Sequence, residues 1–298
     1  MNIRTERLTI TRFTMDMAQA VHENSLDEDN RRFVPDEVFE TVEDAADTLE
    51  FLIGVYENGE GPLVYPVLLQ DNTYIGYVQA VPFEDDRWEI GYHIGERYTK
   101  KGYATEAVAA FLPVIMRKLN ITEMVGVCLA DNKASVKVME RTGFVKEFQG
   151  IGNYQGADRE ICRYNYFMSP KDVVVKFFEE GYTNQNFDFV MQCVADDYID
   201  NSPANAGSNA DTVGILRIVA GQFSDFKATV TDVFSEGEMV ASRIRFEGVH
   251  TGECMGISPT GKRISFEALE NFRVKNGKIV ESWGYWPDKE IECKLKAE

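Results

Sequence analysis

Apolar residues recur along this chain at two spacings, and the mixture of the two changes near residue 168. In the first half, runs alternating with a period of two are interleaved with runs of helical period. Strand-like runs are predicted at Arg7–Phe13, Leu63–Gln70, Tyr74–Val81, Trp88–Ile94, Glu123–Leu129, Phe144–Phe148 and Asp158–Phe167. Asp71-Asn72 and Asp85-Asp86 fall between three of them as turns. A short helix is predicted from Thr14 to His22. Another is announced by Thr41 and Asp44, a T-x-x-D cap ahead of Ala45, Leu49, Leu52 and Ile53. A third follows Gly102 and carries Ala107, Val108, Phe111, Leu112 and Ile115 on one face. A fourth runs from Lys133 to Thr142 and stops at Gly143.

At Ser169-Pro170-Lys171-Asp172 the text restarts, with an N-cap, a proline at the first helical position and a capping acid. Helices are predicted at Val173–Tyr182, Phe187–Cys193 and Asp211–Phe223, followed by four long strand-like runs. Asn276-Gly277, inside "FRVKNGKIVESW", is the clearest hairpin turn. The pattern therefore predicts two domains, residues 1–168 and 169–298, the first α/β and the second α+β.

Composition narrows the class. With 44% hydrophobic and 27% charged residues the 298-residue chain has the makeup of a soluble globular protein. A formal charge of -18 disfavours nucleic acid and anionic lipid as partners. No apolar run has the length of a signal peptide or a membrane span. The cysteines, Cys128, Cys162, Cys193, Cys254 and Cys293, are odd in number and lack CxxC spacing, and with three histidines no zinc-type metal site is expected. The expected location is the cytoplasm.

The junction "YTKKGYATEA" raises a chemical question. A strand ends, a loop carries Lys100, Lys101, Gly102 and Tyr103, and a helix begins at Ala104-Thr105. Unpaired N–H groups at a helix start favour an anion, and a glycine lets the backbone approach it closely. "TERLTI", "EIGYHIGERYTKKGYATEA" and "DNKASVKVMERTGF", in this order, resemble the GNAT superfamily of acyl-CoA-dependent N-acetyltransferases, in its ribosomal-protein acetyltransferase branch. The resemblance spans residues 1–168 and implies acetyl-CoA as co-substrate, with its pyrophosphate on the amides from Lys100 to Thr105. It also implies that Asn132 and Ser135 reach the cofactor's arm and sulfur, and that a backbone N–H near Ile94 polarises the thioester. The chain departs from the family at Lys100, where a second glycine is common, and at Met139, where many members carry a tyrosine acid. Ser135 is the substitute donor to the leaving sulfur; a thiolate with a thiol pKa of roughly 8.5 leaves without a strong acid. Glu89 and His93, four apart on one strand, share a face, and Glu89 is the first candidate base, His93 the second. Acidic residues crowd Asp27 to Glu50, which suits a cationic amine acceptor, small molecule or peptide.

The segment "FEGVHTGECMGISPTGKRISFEALENFRVKNGKIVESWGYWPD" resembles the SnoaL-like polyketide and ester cyclase family, a cone-shaped α+β barrel, over residues 170–288. That resemblance implies a pocket and a His-x-Asp on the last strand, but here the positions read Ser282-Trp283-Gly284, and neither Ser nor Gly exchanges a proton near neutral pH. The expected pocket residues are Ser202, His250, Glu270, Ser282, Gly284 and Trp286. A small apolar ligand or a homodimer contact is expected of this domain rather than cyclisation. Two other readings stay open at this level: a non-catalytic acyl-CoA sensor, or an isomerase or hydrolase seated in the second domain on His250 or Glu270.

Overall fold

The computed structural model describes residues 1–58 and 61–297, and the chain divides into two compact units. The first holds residues 1–119 with 123–166, the second residues 120–122 with 167–298. Each is described by itself.

In the first unit, β1 (Ile3–Arg4) and β2 (Leu8–Ile10) lead into α1 (Ala18–Ser25), α2 (Glu28–Phe33) and α3 (Val42–Asn58). Then come β3 (Leu63–Leu69), β4 (Tyr74–Pro82) and β5 (Trp88–Ile94), a meander. After it follow α4 (Tyr103–Leu119), β6 (Glu123–Leu129), α5 (Lys133–Arg141), β7 (Val145–Tyr154) and β8 (Ala157–Phe167). The sheet order is β1-β2-β3-β4-β5-β6-β8-β7. Thr41 and Asp44 cap α3 reciprocally: the Asp44 N–H donates to Thr41 Oγ1 at 3.1 Å, and the Thr41 N–H to Asp44 Oδ2 at 3.0 Å. Ala107, Val108, Phe111, Leu112 and Ile115 of α4 are buried, as their spacing requires.

The second unit begins at α6 (Pro170–Phe177), capped by Ser169, whose Oγ accepts from the Asp172 N–H. The helix does not run on to Tyr182 as α; it widens into a π turn over Phe178–Thr183. The wider turn lets Phe177, Phe178 and Tyr182 pack together, with ring centroids 5.4 to 6.0 Å apart. Next come α7 (Phe187–Cys193), β9 (Val194–Asp200), α8 (Asn209–Gln222), β10 (Phe223–Glu236), β11 (Met239–His250), β12 (Arg263–Lys275), β13 (Lys278–Tyr285) and α9 (Asp288–Lys296). The sheet order is β10-β11-β12-β13-β9, antiparallel except for β13 with β9. Asn276 and Gly277 both take positive φ, 48° and 73°, and join β12 to β13 as a two-residue turn. Among the described residues, no helix is long and apolar enough to cross a membrane.

Candidate active site

Parallel strands β5 and β6 pair at one position, Glu89 opposite Val125, and part beyond it. A cleft of about 1240 Å³, lined wholly by first-unit residues, opens there. Alternation along β5 places Glu89, Gly91 and His93 on one face and Ile90, Tyr92 and Ile94 on the other. The Gly95 N–H donates to Ile75 O at 2.9 Å. Ladder alternation therefore turns the Ile94 N–H away from β4, toward the gap.

On the first face, the Glu89 carboxyl accepts the Val127 N–H, and burial pushes its pKa from 4.5 up to about 7. His93 lines the same cleft, its Nε2 3.5 Å from Asp27 Oδ2. Asp27 itself accepts the Asn30 and Glu96 N–H groups at 2.8 and 3.0 Å. His93 and those N–H groups hold its carboxyl down to about 2, although burial opposes them.

On the other face the helix starts converge. Gly102 adopts φ +83° and Lys100 φ +61°, so Lys100 takes a left-handed backbone conformation that a glycine adopts more readily. Lys100, Gly102, Tyr103, Ala104 and Thr105 line the cleft. Lys101 does not: its Nζ donates to Arg97 O at 3.3 Å and its carbonyl accepts Arg7 Nη1 at 2.9 Å. Asn132 caps α5, its Oδ1 accepting the Ser135 N–H at 3.0 Å. Ser135 Oγ lies 2.8 Å from the hydroxyl of Tyr92, which is also 3.1 Å from Ser135 O. Burial holds the Tyr92 phenol in its neutral, proton-bearing form. Met139 is packed against Gly126, where a Cβ would come within 2.5 Å of the Met139 methyl.

Sequence reasoning missed Tyr92 and Gln79, and counted Glu37 only within the acidic run from Asp27 to Glu50. Tyr92 and Ser135 are 43 positions apart, and only the meeting of β5 with the start of α5 joins them. Lys133, Lys137 and Arg141, four apart on α5, also line the cleft and give it a basic wall suited to phosphates.

In the second unit, five of the six expected pocket residues gather. Ser202 Oγ donates to Asp200 Oδ2 at 2.7 Å, Ser282 Oγ lies 3.3 Å from Asp200 Oδ1, and the Tyr198 hydroxyl bonds to Ser282. Trp286 Nε1 donates to Glu270 Oε1 at 3.3 Å. Gly284 faces Glu270, and a Cβ there would lie 2.9 Å from Glu270 Cγ and Cδ, so the room left by this glycine is taken by the glutamate. His250 stands apart. It faces the other end of the sheet, with Nδ1 accepting the Thr260 N–H at 3.2 Å. It pairs near Lys262, eight positions along β12 from Glu270, about 26 Å of extended strand.

Burial pushes the Glu270 carboxyl from 4.5 up to about 7, with Asp200 adding to the rise. Below about pH 4.5 the carboxyl is protonated folded or unfolded, so it costs nothing; the penalty for ionising it grows with pH and is complete above 7. Glu270→Gln is therefore expected to stabilise the protein by ~2 kcal/mol at pH 8 and by little at pH 4.5, read by denaturant unfolding at both.

Residues 7–145 match the acetyltransferase (GNAT) domain model, and residues 172–292 match that of SnoaL-like polyketide cyclases. YnaD, an uncharacterized N-acetyltransferase of Bacillus subtilis, is 32% identical over 149 residues, 49% of this chain and 84% of the relative. The uncharacterized N-acetyltransferase p20 of Bacillus licheniformis is 24% identical over 145 residues, 48% and 82% of the two chains. The structure of RimL, a ribosomal L7/L12 α-N-protein acetyltransferase in complex with coenzyme A, superposes with a TM-score of 0.50 at 20% identity. That superposition covers 56% of this chain and 98% of RimL, a likeness of fold. Through its first half the chain belongs to the GNAT acetyltransferase family, and a SnoaL-like domain follows in the same polypeptide.

Proposed function

We propose that the first unit transfers acetyl from acetyl-CoA to a primary amine by direct attack. One observation carries the reading. The gap between β5 and β6 has a raised-pKa carboxyl, Glu89, on one wall and the Tyr92–Ser135 hydroxyl pair on the other. The pyrophosphate would lie on the amides from Lys100 to Thr105, Lys101 contributing backbone only, with the Ile94 N–H toward the thioester oxygen. Asn132, fixed as a cap, would border the pantetheine arm. Glu89 takes the proton of the entering ammonium, with His93 as the neighbouring titratable group. The free amine then attacks the thioester carbon and forms the amide as the C–S bond breaks. The departing thiolate takes a proton from Ser135, Ser135 is replenished by Tyr92, and Tyr92 by the second proton that the attacking nitrogen sheds as the amide forms, so both hydroxyls end neutral.

In this reading the C-terminal domain, residues 169–298, serves binding of a small apolar ligand or self-association. Neither Ser282 nor Gly284 exchanges a proton near neutral pH, as a cyclisation would require.

The test is release of CoA thiol that requires an added amine, with the amide product identified by mass. Thiol release without any amine dependence would overturn transfer. Tyr92→Phe is expected to lower kcat about tenfold, since the proton it backs up goes to a leaving group that departs unaided, with a smaller change in KM.

A further inference from the structure

Glu37 differs from the other charges of the cleft. It ends the turn Pro35–Glu37 that follows α2, and it lines the opening. Its Oε2 accepts the Tyr77 hydroxyl, and its Oε1 accepts the Gln79 amide at 3.3 Å. Gln79 can reach it because Gly91, its partner across the β4–β5 ladder, has no side chain. A Cβ on Gly91 would lie 2.5 Å from the Gln79 amide nitrogen. Two neutral donors thus fix this carboxylate in place.

Apart from the His93 ring, which acts on it electrostatically, no cation among the described residues balances it. Two of the cleft's arginines are drawn to other acids, Arg32 to Asp131 at 2.9 Å and Arg163 to Glu84 at 3.9 Å, and Arg141 lies on the α5 wall with Lys133 and Lys137. Among the described residues, no lysine or arginine nitrogen makes an ion pair with Glu37. Burial of a carboxylate without a counter-charge is costly, and a bound cation relieves it. His93 stands on the same wall of the cleft. Its side chain is 10% exposed, and its Nε2 faces Asp27 Oδ2 at 3.5 Å rather than Glu37. Its ring lies 6.1 Å from that of Tyr77, the residue that holds Glu37.

Spacing then suggests the shape of the ligand. Gly91, beneath the Gln79 amide, and Glu89 are two residues apart on one face of β5, about 7 Å. A four-carbon diamine holds its nitrogens about 6 Å apart when extended. We propose that Glu37 seats a second cationic group of the acceptor, so that the favoured acceptor is a dication with one amine at Glu89 and an ammonium at Glu37. The inference rests on the acetyl-transfer reading and adds to it a substrate class.

The experiment titrates putrescine and n-butylamine, matched in carbon count, into the full-length protein in the presence of CoA, beside Glu37→Gln and Glu37→Asp. The wild type is expected to bind putrescine about tenfold or more tighter than butylamine, the worth of one charge-assisted hydrogen bond. In Glu37→Gln that gap is expected to close to about twofold. Glu37→Asp, a methylene shorter, should restore a preference and shift it toward cadaverine. Equal affinity of the two amines for the wild type, or a gap that survives in Glu37→Gln, would overturn the proposal. Loss of putrescine preference in Gln without its return in Asp would overturn it too, since a structural defect explains that result. Turnover separates this inference from its foundation. Putrescine that binds through Glu37 yet is never acetylated overturns acetyl transfer and leaves the cation seat standing. Both amines acetylated equally well overturns the seat alone.

Discussion

Glu89→Gln is expected to lower kcat/KM for amine acetylation by about a hundred- to a thousandfold, the range of a general base lost from its station. Glutamine keeps the size of the side chain and can still accept the Val127 N–H, so packing changes little. Only the capacity to take a proton is gone. The pH dependence carries the sign. With its carboxyl raised to about 7, Glu89 is ionised and competent above neutrality and protonated, hence idle, below it. The acceptor amine, with a pKa near 10, adds a rising slope to both proteins. The ratio of wild-type to variant rates therefore isolates Glu89. It should be large and level above about pH 7 and shrink toward unity on acidification. A ratio that stays constant from pH 5.5 to 8.5 would assign the proton to another group.

The second large effect lies in the other unit. Trp286 packs against four rings, with centroid distances of 4.8 Å to Phe246, 4.9 Å to Phe266, 6.2 Å to Phe226 and 6.3 Å to Tyr182. Trp286→Ala removes the indole from the middle of this cluster and leaves Glu270 without the indole N–H. Unfolding free energy is expected to fall by about 3–5 kcal/mol, transfer and cavity terms together. Trp286→Phe keeps most of the contact area and gives up the N–H, so a loss of about 1–2 kcal/mol is expected. Denaturant unfolding of both variants reads the difference. Equal and small losses would mean that the cluster is not what holds this unit together.

Much of this architecture is legible in the sequence because local rules govern it. The reciprocal cap of Thr41 and Asp44, the Asn276-Gly277 turn and the helix at Phe187–Cys193 involve residues within a few positions of one another. The strand after Phe144 runs on to Tyr154, further than its apolar pattern reaches, because Gln155-Gly156 also takes positive φ at both positions and closes a long hairpin. Gln-Gly is a weaker signal for that turn than Asn-Gly. The π turn at Phe178–Thr183 is set by what the aromatic rings pack against, which no window of sequence contains.

The site divides along the same line. Glu89, His93, Gly102, Asn132 and Ser135 belong to motifs and come together in the cleft. Lys101 sits within a motif but is drawn aside by the Arg97 carbonyl. Tyr92 and Glu37 depend on contacts between strand and distant helix or turn, 43 and 40 positions away, so their roles emerge only from the fold. His250 shares its alternation with the buried face of β11, yet strand length carries it far from Glu270.

Titration calorimetry of acetyl-CoA into the full-length protein, beside Gly102→Trp, tests acetyl-CoA dependence most directly. At Gly102 the backbone is at φ +83° and a Cβ would meet only Arg7 Nη2 at 3.5 Å, so the larger side chain has space to project over the amides of the α4 start. Micromolar binding by the wild type, weakened about a hundredfold or more in the variant, is the expected result. Failure of the wild type to bind acetyl-CoA would contradict the proposal and leave the Gly102 loop a turn between strand and helix.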